Sequence, residues 1–163
     1  MGDLNNFLQN RKVDLLTDRQ KTAQEYLSQI GQNERLLESY FQELAELREL
    51  STNIQSARWT ADKVQTSHSN EARFVSIVTK IAELEKKIDA EASKMLDLRI
   101  EIRDVIASIP NQKCVLVLRY RYIEFQKWFD MEEKMGMSER QLHNIHLHAL
   151  NAVANILEAR KAA

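Results

Sequence analysis

Between Phe74 and Val105 the apolar residues recur at alternating intervals of three and four. They are Phe74, Ile77, Ile81, Leu84, Ile88, Met95, Leu98, Ile102 and Val105, with Glu91 the one interruption. A strand repeats every two residues, so only a helix brings these positions to one side. Four heptads of this kind predict a coiled-coil seam about 45 Å long. The flanking residues Lys80, Glu83, Glu85, Lys86 and Lys87 carry both signs, as a solvated helix face does. Upstream, Leu37, Tyr40, Leu44, Leu47 and Ile54 keep the same spacing across Ser51, and Leu36, Phe41 and Leu50 widen the stripe. Two matching stripes can pair as an antiparallel hairpin or between chains.

Composition extends the helical reading to the rest of the chain. Three glycines and one proline in 163 residues are too few for the corners of a sandwich or barrel. The expected fold class is all-α: a long helical coiled-coil arm, then a C-terminal three-helix module. The single cysteine, Cys114, excludes a disulfide framework and sits in an apolar run, KCVLVL. No stretch of 18 apolar residues calls for a membrane span. The start, MGDLNNFLQNRK, lacks the basic-then-apolar order of a secretory signal, and Asn6 replaces the Ser or Thr a myristoylated Gly2 needs. A cytoplasmic location without membrane attachment is expected. Net charge is −1. Residues 103–163 hold nine Lys/Arg against seven Asp/Glu, a surplus of +2 that permits nucleic-acid contact without demanding it.

Three segments follow. Residues 1–32 form an N-terminal helical extension, with scattered apolar positions (Leu4, Phe7, Leu8, Leu15, Leu16) and a clearer face at Ala23, Tyr26, Leu27 and Ile30. Helix is predicted over about 14–29, ended or bent at Gly31. Residues 33–108 form the arm. The period lapses over SARWTADKVQTSHSN (56–70), which predicts a loop pinned by Trp59 and Val64. Pro110 disfavours helical geometry at Ile109, so a compact unit over 109–163 begins there.

That last unit contains three short helical patterns. Cys114, Val115, Leu118 and Tyr122, with Leu116 and Tyr120 nearby, mark the first. Trp128, Met131 and Met135 mark the second, as core residues, and Gly136 stops it. Ser138 is an N-cap for the third, where Leu142, Ile145, Ala149, Leu150, Val153 and Ile156 share a face. Gly136 supplies the left-handed conformation of a tight turn, and Met131, Met135, Met137, Leu142 and Ile145 stand where two crossed helices touch. The spacing is that of a helix-turn-helix. Glu132 departs from it, because four residues before the glycine such units place a small residue.

The stretch LRYRYIEFQKWFDMEEKMGMSERQLHNIHLHAL (Leu118 to Leu150) resembles the fourth region of bacterial sigma factors. It is more similar still to phage and prophage late-gene regulators of Gram-positive bacteria, of the ArpU and RinA type, several of which carry a coiled-coil arm before the module. The resemblance implies a sequence-specific DNA-binding transcription regulator in a bacterial host cell. Its partners would be double-stranded DNA and, through the coiled coil, a second copy or RNA polymerase. The third helix would read the major groove with Glu139, Arg140, Gln141, His143 and Asn144. Arg matches guanine, Gln or Asn matches adenine, and Glu accepts from cytosine. Arg140, Gln141 and Asn144 are the leading base readers. Lys127, His148 and the Ser138 cap are placed for phosphate. Arg119 and Arg121 fit the module's edge.

His143, His146 and His148 raise a metal reading, yet helical spacing turns His148 away and no Cys or paired carboxylate completes a ligand set. No metal and no cofactor are expected. The imidazoles instead predict a pH-sensitive contribution to DNA affinity. Neither a phosphate-binding glycine loop, a nucleophile elbow nor a zinc-protease pattern is present, so no enzyme and no catalytic residue are predicted. Two rivals stand beside the regulator. One is a protein-binding adaptor for polymerase or a host regulator, whose tip no longer reads DNA. The other is a small-terminase-like packaging subunit, against which the C-terminal position of the reader counts.

Overall fold

The computed structural model describes residues 16–60 and 67–163, excluding the side chains of residues 58–60, 67 and 68. Leu4, Phe7, Leu8, Leu15 and Val64, the start of the predicted first helix and the Trp59 side chain lie outside the described residues. Two long helices, α1 (Asp18–Thr60) and α2 (Ser67–Ala107), precede α3 (Gln112–Leu118), a π-helical turn (Arg119–Ile123), α4 (Trp128–Met135) and α5 (Glu139–Ala162). The fold is all-α, with a long helix pair followed by shorter helices and no strand among the described residues. No helix among them is long and apolar enough to cross a membrane.

Two expectations about α1 and α2 need correction. Gly31 does not end the first helix, since α1 runs through it. A helical glycine costs about 1 kcal/mol, which the anchored turns on either side offset: Leu27, Ile30 and Leu37 are all buried. The loop expected over 56–70 is also shorter, because α1 continues to Thr60 and α2 begins at Ser67. Helix therefore continues beyond the point where the apolar period lapses. Ile54 still keeps the seam half-buried, and the Thr52 hydroxyl donates back to the Arg48 carbonyl at 3.0 Å, satisfying itself within the helix.

Among the described residues the chain divides into two compact units, one within 31–99 and the other of 16–30 with 100–163. The sequence pattern placed its breaks at 32/33 and 108/109. In the hairpin unit (31–99), Leu37 and Leu44 of α1 meet Leu84 and Ile88 of α2, with Tyr40, Leu47, Ile81 and Met95 packed against them. Arg99 pairs with Glu34 at 2.8 Å and Arg48 with Glu85 at 2.7 Å. As α1 advances α2 retreats, so the pairing is antiparallel and within one chain. These pairs are partly or largely exposed and contribute at most about 1 kcal/mol each. The buried seam holds the unit.

The second, bundle unit combines the first turns of α1, the last turns of α2, and everything after. Ala23, Leu27 and Ile30 are fully buried there, as are Ile102, Val105, Val117, Leu118, Met131, Leu142, Ala149, Leu150 and Val153. Polar links run between the same elements. Arg19 forks onto Glu158 at 2.6 and 2.7 Å and reaches Asn155 at 2.7 Å; the Tyr26 hydroxyl donates to Glu101 at 2.8 Å. The turns before residue 31 are thus an integral helix of this unit.

α2 stops at Ala107, three residues before Pro110, and Asn111 caps α3 by accepting from the Lys113 N–H at 3.0 Å. After Leu118 the helix widens, and the Glu124 N–H donates to the Arg119 carbonyl at 3.0 Å, five residues back. The wide turn closes on Phe125, which takes a left-handed φ of 53°. Both Tyr122 and Ile123 are buried by it.

Candidate nucleic-acid interface

α4 ends where Gly136 turns left-handed, at φ 61° and ψ 33°. Ser138 then takes extended geometry and starts α5 with a capping box. Its backbone N–H donates to Gln141 Oε1 at 3.0 Å, and its hydroxyl accepts from the Gln141 N–H at 3.4 Å. Both local expectations, the glycine turn and the serine cap, are met.

Glu132 organises the connection. Its carbonyl accepts from the N–H groups of Gly136 and, at 3.3 Å, Met137, and its carboxylate accepts from the N–H of Glu139. Where a small residue would let two helices approach, this chain uses a long one to bind three donors of the turn. Beneath it Val117, Met131 and Leu142 form the buried core of the crossing, with Tyr120, Trp128, Met135, Met137 and Ile145 around them. The aromatic and methionine positions are core, as expected.

The proposed readers fall into two groups. Arg140, Asn144 and His148 are exposed, and their spacing of four puts them on one face of α5 opposite Leu142, Ala149 and Val153. Ser138, Glu139 and Gln141 are exposed at its first turn. The Gln141 side chain is engaged in the cap. Glu139 Oε1 lies 3.3 Å from His143 Nε2, and the His143 ring is half-buried against Trp128 with centroids 4.2 Å apart. Lys127 is exposed and takes the N-cap position of α4 without a side-chain cap. Arg121 stays at the edge: it donates to the Gln126 carbonyl at 2.9 Å, and its guanidinium lies 5.1 Å from the Trp128 ring centre.

His146 corrects the expectation that the imidazoles titrate near neutrality. It is buried, its Nε2 hydrogen-bonds the Tyr122 hydroxyl at 2.8 Å, and its ring meets the edge of Trp128 at 5.2 Å. Burial, with help from His143 and Arg121, pushes its pKa down to about 4. Burial likewise raises the Tyr122 phenol to about 12. The pair is neutral at physiological pH. A signal for it existed in the sequence: 146 lies four after Leu142 and four before Leu150, on the apolar stripe. Cys114 is buried, and desolvation raises its thiol pKa. Among the described residues no group of three His, Cys, Asp or Glu side chains could hold a metal ion.

These observations define an all-α protein that joins an antiparallel helical hairpin to a helical bundle, with a glycine turn and a capped, polar-faced helix near its end. The chain belongs to the family of proteins of unknown function DUF1492, whose model matches residues 53–154, from the last turns of α1 into α5. No curated protein and no solved structure matches the chain.

Proposed function

We propose that this chain is a sequence-specific DNA-binding transcription regulator of the phage type, similar to the ArpU and RinA regulators and acting inside a bacterial host cell. The observation that carries the reading is the α4–Gly136–Ser138–α5 unit, with Arg140, Asn144 and His148 exposed on one face of a helix anchored in a core. Arg140 and Asn144 are the base readers, pairing with guanine and adenine edges; Lys127 and His148 hold phosphate. The reading includes no catalytic step. The α1–α2 seam is filled within one chain, so a dimer would use another surface, such as the exposed Leu36, Phe41 and Val75.

The test is selection of bound duplexes from a random pool by the purified protein at about 50 and 150 mM salt, with Arg140→Ala/Asn144→Ala beside it. An enriched site that the double variant loses is the expected outcome. Each base contact is worth about 1–3 kcal/mol, so the pair should cost at least tenfold in affinity for that site. No enrichment at either salt ends the proposal. A second reading, a protein-contacting tip, has Phe129 of α4, 76% exposed, as its candidate contact. RNA polymerase is the partner that reading would test by pull-down.

A further inference from the structure

The two sides of the hairpin unit differ in character. The ion pairs Glu34–Arg99 and Arg48–Glu85 fix which residues share one of them. Phe41 lies midway between Glu34 and Arg48 along α1, and Ala92 midway between Glu85 and Arg99 along α2. Each interval is one heptad, so Phe41 stands across from Ala92, between the two ion pairs. The same line of α2 includes Val78, one heptad before Glu85, and Val75, Ala82, Asp89 and Leu96 form a second line beside it. Phe41, Val75 and Leu96 are more than half exposed, and Val78, Ala82 and Ala92 are exposed too. α2 thus carries a second apolar stripe outside its buried seam, interrupted at its centre by Glu85 and Asp89. The opposite side presents exposed Lys80, Lys87 and Lys94, with Lys87 over the Tyr40 ring at 4.3 Å.

We infer that the apolar side seats a second copy of this chain, giving a four-helix bundle in which α1 lies against α2 of the other copy. A two-fold axis parallel to the helices keeps every residue at its own level. Arg48, level with Glu85 in its own chain, is then level with Glu85 of the second copy and one turn from that copy's exposed Asp89. Phe41 comes level with the second copy's Ala92, a small residue that leaves room for the ring, with Leu96 one turn on. Large side chain meets small and cation meets anion, and symmetry makes each contact twice. Val75 to Leu96 spans about 32 Å, and two helices side by side are about 18–20 Å across. In projection that face is about 600 Å², of the order of the 800 Å² or so each partner gives to a stable dimer. The lysine side offers no such complement to itself. This pairing concerns the hairpin unit and does not rest on the DNA reading.

Sedimentation of the full chain from about 1 to 100 µM gives its mass in solution, and a dimer is the expected result. Phe41→Glu and Leu96→Glu each place an unpaired charge in the interface and should weaken the dimer at least about tenfold. Both side chains are exposed in the single chain, so helical circular dichroism should not change. Leu50→Glu is the control, on the lysine side one heptad after the Glu43 that acts on Lys87, and should dimerise like the parent. A charge exchange tests the pairing itself. Arg48→Glu and Asp89→Arg should each dimerise more weakly alone, and an equimolar mixture should bind more tightly than either, because the mixed dimer restores two opposite-charge contacts. A monomer at every concentration, a mass other than two chains, or equal effects of Phe41→Glu and Leu50→Glu overturn the inference. A mixture no tighter than its components overturns the pairing of α1 with the other copy's α2.

Discussion

At Gly136 the backbone sits in the left-handed region, and a Cβ built there would meet no atom within 4 Å. The cost of a side chain is then conformational alone, so Gly136→Ala should lose about 1–2 kcal/mol in urea unfolding, and Gly136→Asn less. His146 makes a different kind of statement. Its folded pKa of about 4 lies below the ordinary histidine value, so the unfolded chain binds the extra proton first as pH falls. Stability is therefore fully present above about pH 6.5 and declines between there and pH 4, by on the order of 3 kcal/mol. A His146→Phe/Tyr122→Phe variant, which removes both partners of the 2.8 Å bond, should flatten that decline in unfolding titrations across the same window. A decline unchanged in the variant would locate its source in other groups.

Among the elements, the α1–α2 pair depends on a narrow seam. Leu44 is buried against Leu84 and Ile88, so Leu44→Ala should cost about 2–3 kcal/mol. Leu36→Ala, on the exposed side, should cost less than about 0.5. Helical circular dichroism during thermal unfolding separates the two. The seam was legible in the sequence because its period is a property of one helix at a time. Gly136 and Ser138 were legible for a similar reason, being local rules of a helix end. The extent of α1 and α2 within 56–70 was not, because helix continues there after the apolar period has lapsed. Glu132 was visible only as an oddity: its partner N–H is set by the shape of the turn, and no spacing rule names it.

For the molecule as a whole, the assignment of residues 18–30 was the largest thing the sequence withheld. Their apolar face at Ala23, Leu27 and Ile30 was plain, but its partners lie far along the chain. With Leu27 fully buried in the bundle unit, Leu27→Ala should cost about 2–5 kcal/mol. In a Trp59→Phe background the remaining Trp128 would report that loss as an earlier urea transition. The candidate interface belongs to the same unit, so such a variant should also weaken any DNA binding at temperatures near its melting point. The Arg19–Glu158 fork joins residues 139 positions apart. On a ribosome adding about 5–20 residues per second, the first turns of α1 would wait roughly 7–28 s for their partner to be made. Until the later elements of the bundle unit are made, its core around Leu27 and Ile30 is incomplete, and the hairpin unit, whose partners come sooner, can close first.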